Sequence, residues 1–209
     1  MTSFLITGPE TASFTILLAH GAGGAMDSAS MSDLSKALAD GGFRVARFEF
    51  AYMAQRRLSG AVKPPPRADQ LLDEYRVAIG ELGAGNLIIG GKSMGGRVAS
   101  MIADETFAAK KIRGLLCLGY PFHPPGKPEQ LRTAHLQDLR TPTLICQGTR
   151  DPFGSRQEVE SYTLSDQIEL LWLEDGDHDL KPRKKISGYS VADHMRQLSE
   201  YTTAWAERL

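Results

Sequence analysis

Six short, almost continuously apolar runs punctuate the chain, and amphipathic stretches fill most of the intervals between them. The runs are Phe14–Ala19, Val45–Phe50, Leu87–Gly90, Ile112–Leu118, Thr143–Gln147 and Ile168–Leu173. Runs this short, with hardly a polar position, fit strands buried on both faces. The intervals predict helices over Ser32–Asp40, Asp69–Leu82, Met94–Asp104, Glu129–Leu139 and Val191–Arg208. Gly41-Gly42 and Gly83 follow two of them as natural stops. Repeated strand-then-helix order implies the α/β class, with a mainly parallel, doubly wound sheet. Such sheets bind ligands at the carboxyl ends of their strands, so the residues just after each run carry the functional argument.

Bulk properties narrow the function. At 209 residues the chain suits one α/β domain spanning 1–209. A formal net charge of −1 gives no field for nucleic acid or an anionic membrane. No apolar run approaches the roughly 18 residues of a membrane helix. The start, MTSFLITGPE, lacks the basic-then-apolar pattern of a secretory signal. Cys117 and Cys146 sit inside apolar runs and are expected to be buried free thiols, consistent with a cytoplasmic protein. Two stretches are expected to be loops: Gln55–Arg67, with Pro64-Pro65-Pro66, and Tyr120–Lys127, YPFHPPGK. The basic residues of Lys181–Lys185 are expected to lie in a solvated loop.

Directly after Leu87–Gly90 comes Gly91-Lys92-Ser93-Met94-Gly95-Gly96, followed by a helical pattern. G-x-S-x-G between strand and helix has the context of a nucleophile elbow. The sharp turn forces the serine into a strained conformation, and side chains at the flanking glycines would collide. Gly91-Lys92-Ser93 is not the end of a phosphate-binding loop. The required upstream glycine is Asn86, and Leu87-Ile88-Ile89 is strand-like.

A serine hydroxyl needs a base to remove its proton and a carboxylate to orient that base. In this elbow context the chain order is nucleophile, acid, base. Asp151 follows Thr143–Gln147, and His178 follows the last run, each at a strand end and in that order. Ser93, Asp151 and His178 are therefore the catalytic candidates. An aspartate before Pro152 also suits a plain turn, and a histidine between Asp177 and Asp179 also suits a solvated surface. His135 and His194 fall on predicted helices. The first run ends in His20-Gly21-Ala22-Gly23-Gly24, which resembles the glycine-rich oxyanion loops of esterases. The backbone N–H groups of Met94 and of Ala22 (or Gly23) are the expected oxyanion donors, with His20 in a structural role. No cofactor and no metal is expected.

The combination HGAGG, GGKSMGGR, QGTRDPFG and GDHDLKPRK resembles the α/β-hydrolase superfamily over essentially the whole chain. More closely, it resembles a small bacterial predicted-hydrolase branch related to dienelactone hydrolase and the testis-expressed hydrolase-like proteins. The resemblance implies a sheet of about eight strands and a serine triad. Dienelactone hydrolase itself uses a cysteine nucleophile, so lactone specificity does not transfer to Ser93. The stretch YPFHPPGKPEQ is too short for a helical cap, so an open site is expected between the loops Tyr52–Arg67 and Tyr120–Lys127. Tyr52, Lys92, Phe122 and His123 are candidate substrate contacts. Lys92 and the cluster Arg56, Arg57, Lys63 and Arg67 are compatible with an anionic substrate group or with a solvated basic loop. The expected partner is a small ester or thioester, cleaved through an acyl-enzyme. A hydrolase-shaped interaction module with an idle triad is the alternative, and peptidase activity is disfavoured because no second domain or peptide-binding insertion is visible.

Overall fold

A computed structural model describes residues 1–60, 64–83 and 85–209. Its strands are β1 (Phe4–Thr7), β2 (Thr15–Ala19), β3 (Arg44–Phe48), β4 (Leu87–Lys92), β5 (Gly114–Leu118), β6 (Thr143–Gly148) and β7 (Ile168–Leu173). They form one sheet in the order β1-β3-β2-β4-β5-β6-β7. Strands β2 to β7 pair in parallel, and β1 pairs antiparallel with β3 at one edge, Phe4 opposite Phe48. The six predicted runs are the six parallel strands. No strand is expected from sequence at β1, although Phe4-Leu5-Ile6 is as apolar as the other runs. Among the described residues the sheet has seven strands, against the expected eight: residues 8–14 close as a turn, with no room for a further strand before β2.

Alternation along the strands sends side chains into two cores. Leu17, Ile89, Leu115 and Ile145 pack against α3 (Leu72–Leu82) and α4 (Met94–Ala108) on one face. Ile16, Leu18, Ile88, Leu116 and Leu144 pack against α1 (Ala29–Asp40) and α7 (Val191–Ala206) on the other. Cladding on both faces is why these strands read as continuous apolar runs. Helix α7 starts cleanly because Ser190 and Asp193 cap each other's backbone N–H. Two remaining single turns are α5 (Arg156–Val159) and α6 (Lys184–Ser187), the latter within the expected basic loop.

Two further expectations are corrected. Residues 55–59 are not loop: α2 (Ala51–Ser59) runs through them, with Met53 buried, and ends at Gly60 in the left-handed conformation. Lys63 lies outside the described residues. Glu129–Leu139 is not an α-helix and holds one 3₁₀ turn, Ala134–Leu136. There the Arg132 N–H bonds the Phe122 carbonyl at 2.7 Å, drawing the segment across the preceding loop instead of into its own helical ladder. Between β5 and β6 the described residues hold no separate cap. Among the described residues no helix is long and apolar enough to cross a membrane. Cys117 and Cys146 are buried and free, and burial pushes both thiols up from their usual range.

Candidate active site

Register brings the carboxyl ends of the central strands level. Gly91 of β4 is opposite Ala19 of β2 and Cys117 of β5, and Gly148 of β6 is opposite Leu173 of β7. The turn after β4 places Ser93 at φ 50°, ψ −116°, a positive φ that is uncommon for a non-glycine residue. The surrounding geometry enforces it. A Cβ on Gly91 would stand 2.7 Å from the Gly95 carbonyl carbon, and one on Gly95 would overlap the Ala19 carbonyl. Only glycine permits that approach of α4 to β2.

Ser93 Oγ lies 2.8 Å from His178 Nε2. His178 Nδ1 lies 2.9 and 3.1 Å from the two oxygens of Asp151. The Asp151 carboxylate is fully buried, while the imidazole is 20 % exposed. Asp151 also accepts from the Phe153 N–H at 2.8 Å and from Gln147 Nε2 at 3.0 Å, so its oxygens are well supplied with donors. With a carboxylate on Nδ1, the proton sits there and Nε2 presents a lone pair to the serine hydroxyl. Phe153 stacks on the imidazole with ring centroids 4.0 Å apart. Neither Phe153 nor Gln147 was singled out from sequence. Both are within four residues of Asp151, but only the turn after β6 aims them at it.

A cleft of about 610 Å³ opens over Ser93 and is also lined by Ala22, Met94, Pro65, Pro66, Pro121 and Phe153. The Ala22 and Met94 N–H groups have no acceptor among the described residues. The loop 20–24 is held from below. His20 Nε2 accepts the Phe50 N–H at 3.1 Å and its Nδ1 bonds the Gly21 carbonyl at 2.7 Å.

The four proposed substrate contacts are placed elsewhere. Tyr52 packs against the loop 20–24 and donates its hydroxyl to the Ala22 carbonyl at 3.1 Å; burial pushes that hydroxyl up to about 12, so it stays a donor. Lys92, the last residue of β4, is not among the residues lining the cleft and pairs with Asp179 at 2.8 Å. Phe122 is fully buried between Tyr120 and Tyr162. His123 is buried, its Nδ1 on the Pro124 carbonyl at 2.9 Å. Arg57 is spent on Asp27 and Glu49, away from Ser93. Arg67 of the expected basic cluster lines the cleft, as do two arginines not singled out from sequence, Arg97 and Arg132. Among the described residues no cluster of His, Cys, Asp and Glu is arranged to hold a metal.

The family model described as an alpha/beta hydrolase domain matches residues 12–207, and the chain belongs to that family. Among solved structures, it is similar to dienelactone hydrolase from Anabaena variabilis, with TM-score 0.72 and 16% identity over 99% of this chain and 91% of that one. A serine hydrolase without lid from Xanthomonas campestris gives TM-score 0.67 and 19% identity, covering 99% and 88%. The monoacylglycerol lipase of Paleococcus ferrophilus gives 0.67 and 14%, covering 98% and 99%. At these identities the likeness is one of fold.

Proposed function

We propose that this protein is a serine hydrolase that cleaves a small ester or thioester through an acyl-enzyme. The observation that carries the reading is the continuous Ser93–His178–Asp151 hydrogen-bond chain at the mouth of a cleft, at 2.8 and 2.9 Å. As His178 Nε2 takes the hydroxyl proton, Ser93 Oγ bonds to the carbonyl carbon. The carbonyl oxygen becomes an oxyanion facing the Met94 and Ala22 N–H groups, whose free donors support that role. Each such donor is worth roughly 10²–10³ in turnover. Asp151 stabilises the imidazolium and keeps its proton on Nδ1. Collapse of the intermediate breaks the bond to the leaving alcohol or thiol, which leaves with the proton from Nε2. Water then adds to the acyl-serine by the same route, releasing the acid and restoring Ser93. The small-ester reading also draws on the lipase and serine-hydrolase relatives.

Intact-mass labelling with a fluorophosphonate tests it. One adduct on the wild type, absent from Ser93→Ala, together with turnover of short 4-nitrophenyl esters, is the expected result. A folded wild type that takes no adduct and turns over no ester would overturn the reading in favour of an interaction module.

A further inference from the structure

The cleft over Ser93 contains two positive charges that nothing in the protein answers. Arg97 lies one helical turn beyond Ser93 on α4, on the same face. Arg132 reaches the cleft from the irregular segment before β6, where its backbone is anchored by Phe122 and by the Tyr120 hydroxyl at 3.1 Å. Neither guanidinium has a hydrogen-bond or ion-pair partner among the described residues, and Arg97 Nε is buried without one. Asp69 is the carboxylate lining this cleft, and it is engaged by Arg67 at 3.1 Å. Several arginines elsewhere are paired, Arg57 with two acids, Arg76 with two and Arg183 with Asp175, although Arg44 Nε on the Arg44–Phe48 strand is also buried without a partner.

Two like charges half withdrawn from water repel each other, and each forfeits hydration. The effect is visible in their surroundings. Burial, and then the charge of Arg97, lowers the basicity of both Arg132 and the adjacent His135. Arginine does not resolve such a conflict by losing its proton. A third, negative charge placed between them does, and a guanidinium fork matches the oxygens of carboxylate and phosphate. The geometry points to Arg97 and Arg132 as an anion-recognition pair, so that the natural substrate is an ester or thioester carrying a carboxylate or phosphate within reach of Ser93. This assignment rests on Ser93 being the nucleophile. Around the pair, Pro65, Pro66, Met101 and Pro121 offer apolar walls to a short linker between the anion and the scissile bond.

The test compares matched substrates. 4-Nitrophenyl hemiglutarate against its neutral methyl ester probes the acyl side, and 4-carboxyphenyl butyrate against 4-carbamoylphenyl butyrate probes the leaving-group side. The wild type is expected to favour the anionic member of at least one pair about tenfold or more in kcat/KM. That ratio should fall about ten- to a hundredfold in Arg97→Gln and in Arg132→Gln, with partial recovery in Arg97→Lys. Glutarate and inorganic phosphate, added separately to the wild type, show which oxyanion fits by slowing fluorophosphonate labelling, a readout needing no variant. Normal labelling with no anionic preference in either pair and no protection overturns the arginine assignment while leaving the serine hydrolase intact. No labelling at all overturns the serine reading; calorimetric titration of glutarate and phosphate into wild type and Arg97→Gln then still decides whether the pair binds anions.

Discussion

Lys92 reaches under the His178 loop to pair with Asp179 at 2.8 Å, and the same ammonium donates to the His178 carbonyl at 3.2 Å. Burial alone would raise the Asp179 carboxyl, but the Lys92 hydrogen bond and charge outweigh it and hold the group below the usual carboxylate range. The side chain next to Ser93 thus fastens the loop that carries His178, although it does not line the cleft. Lys92→Met is expected to lower kcat about tenfold with little change in KM, and to destabilise the fold by about 1–3 kcal/mol. Asp179→Asn should act in the same direction, and the two effects should fall short of additivity in the double variant. Wild-type kcat in Lys92→Met would show that the loop holds itself.

The loops bearing Asp151 and His178 cross at Gly148. A Cβ there would overlap the Gly176 carbonyl and stand 2.6 Å from that of Asp177. Gly148→Ala is therefore expected to cost about 1–3 kcal/mol of stability in urea titration. Its loss of kcat/KM should exceed what the unfolded fraction explains. Gly80, exposed in α3 with nothing near its missing Cβ, is the contrast. Gly80→Ala should stabilise by about 0.5–1 kcal/mol. Equal behaviour of the two variants would refute the crossing argument.

Tyr75 of α3 is fully buried, and its hydroxyl accepts the Gly90 N–H at 2.9 Å. It lies 2.8 Å from the Leu17 carbonyl and 2.6 Å from that of Gly90, so it can donate as well. Tyr75→Phe leaves the Gly90 N–H without that acceptor, just before the elbow. The expected cost is about 1–3 kcal/mol by chemical denaturation. A change under about 0.5 kcal/mol would mean the strand re-satisfies itself.

Acid sensitivity should begin at His20. Burial lowers its affinity for a proton, only partly offset by the bond to the Gly21 carbonyl, and His135 is shifted the same way by burial and Arg97. Below the ordinary histidine range of about 6.5 the unfolded chain binds protons that the folded one refuses, so stability falls as pH drops through that value and is retained above it. Protonated His20 would also lose its acceptor for the Phe50 N–H. Urea midpoints measured from pH 7.5 to 5 should decline in the wild type, and more gently in His20→Gln. Identical slopes would sink the assignment.

The elbow was legible in sequence because its cause is local: glycines at 91, 95 and 96 between an apolar run and a helix leave Ser93 one place to go. Asp151 and His178 could be placed as candidates from chain order and strand ends alone. Residues whose position depends on distant contacts were missed. Arg132 sits on a segment whose apolar spacing suggested a helix, yet a hydrogen bond to Phe122 decides its path. The place of Lys92 beside Ser93 suggests a cleft residue, but successive residues leaving a strand point to opposite sides. The helix α2 was hidden by the prolines that follow it, since Pro64–Pro66 weigh on any reading of residues 55–67 although the turn at Gly60 already separates them.

The hydrogen-bond chain at Ser93 joins residues 85 and 27 positions apart in sequence. Its three side chains hang from β4, β6 and β7, so it exists only once the parallel strands between them have closed. Closing such distant loops is slow, and the entropy lost is recovered only when the sheet is complete. Catalytic recovery should therefore be among the last signals to return on dilution from denaturant, after helix content and tryptophan burial. A partly folded chain that looks native by its secondary structure would still be inert.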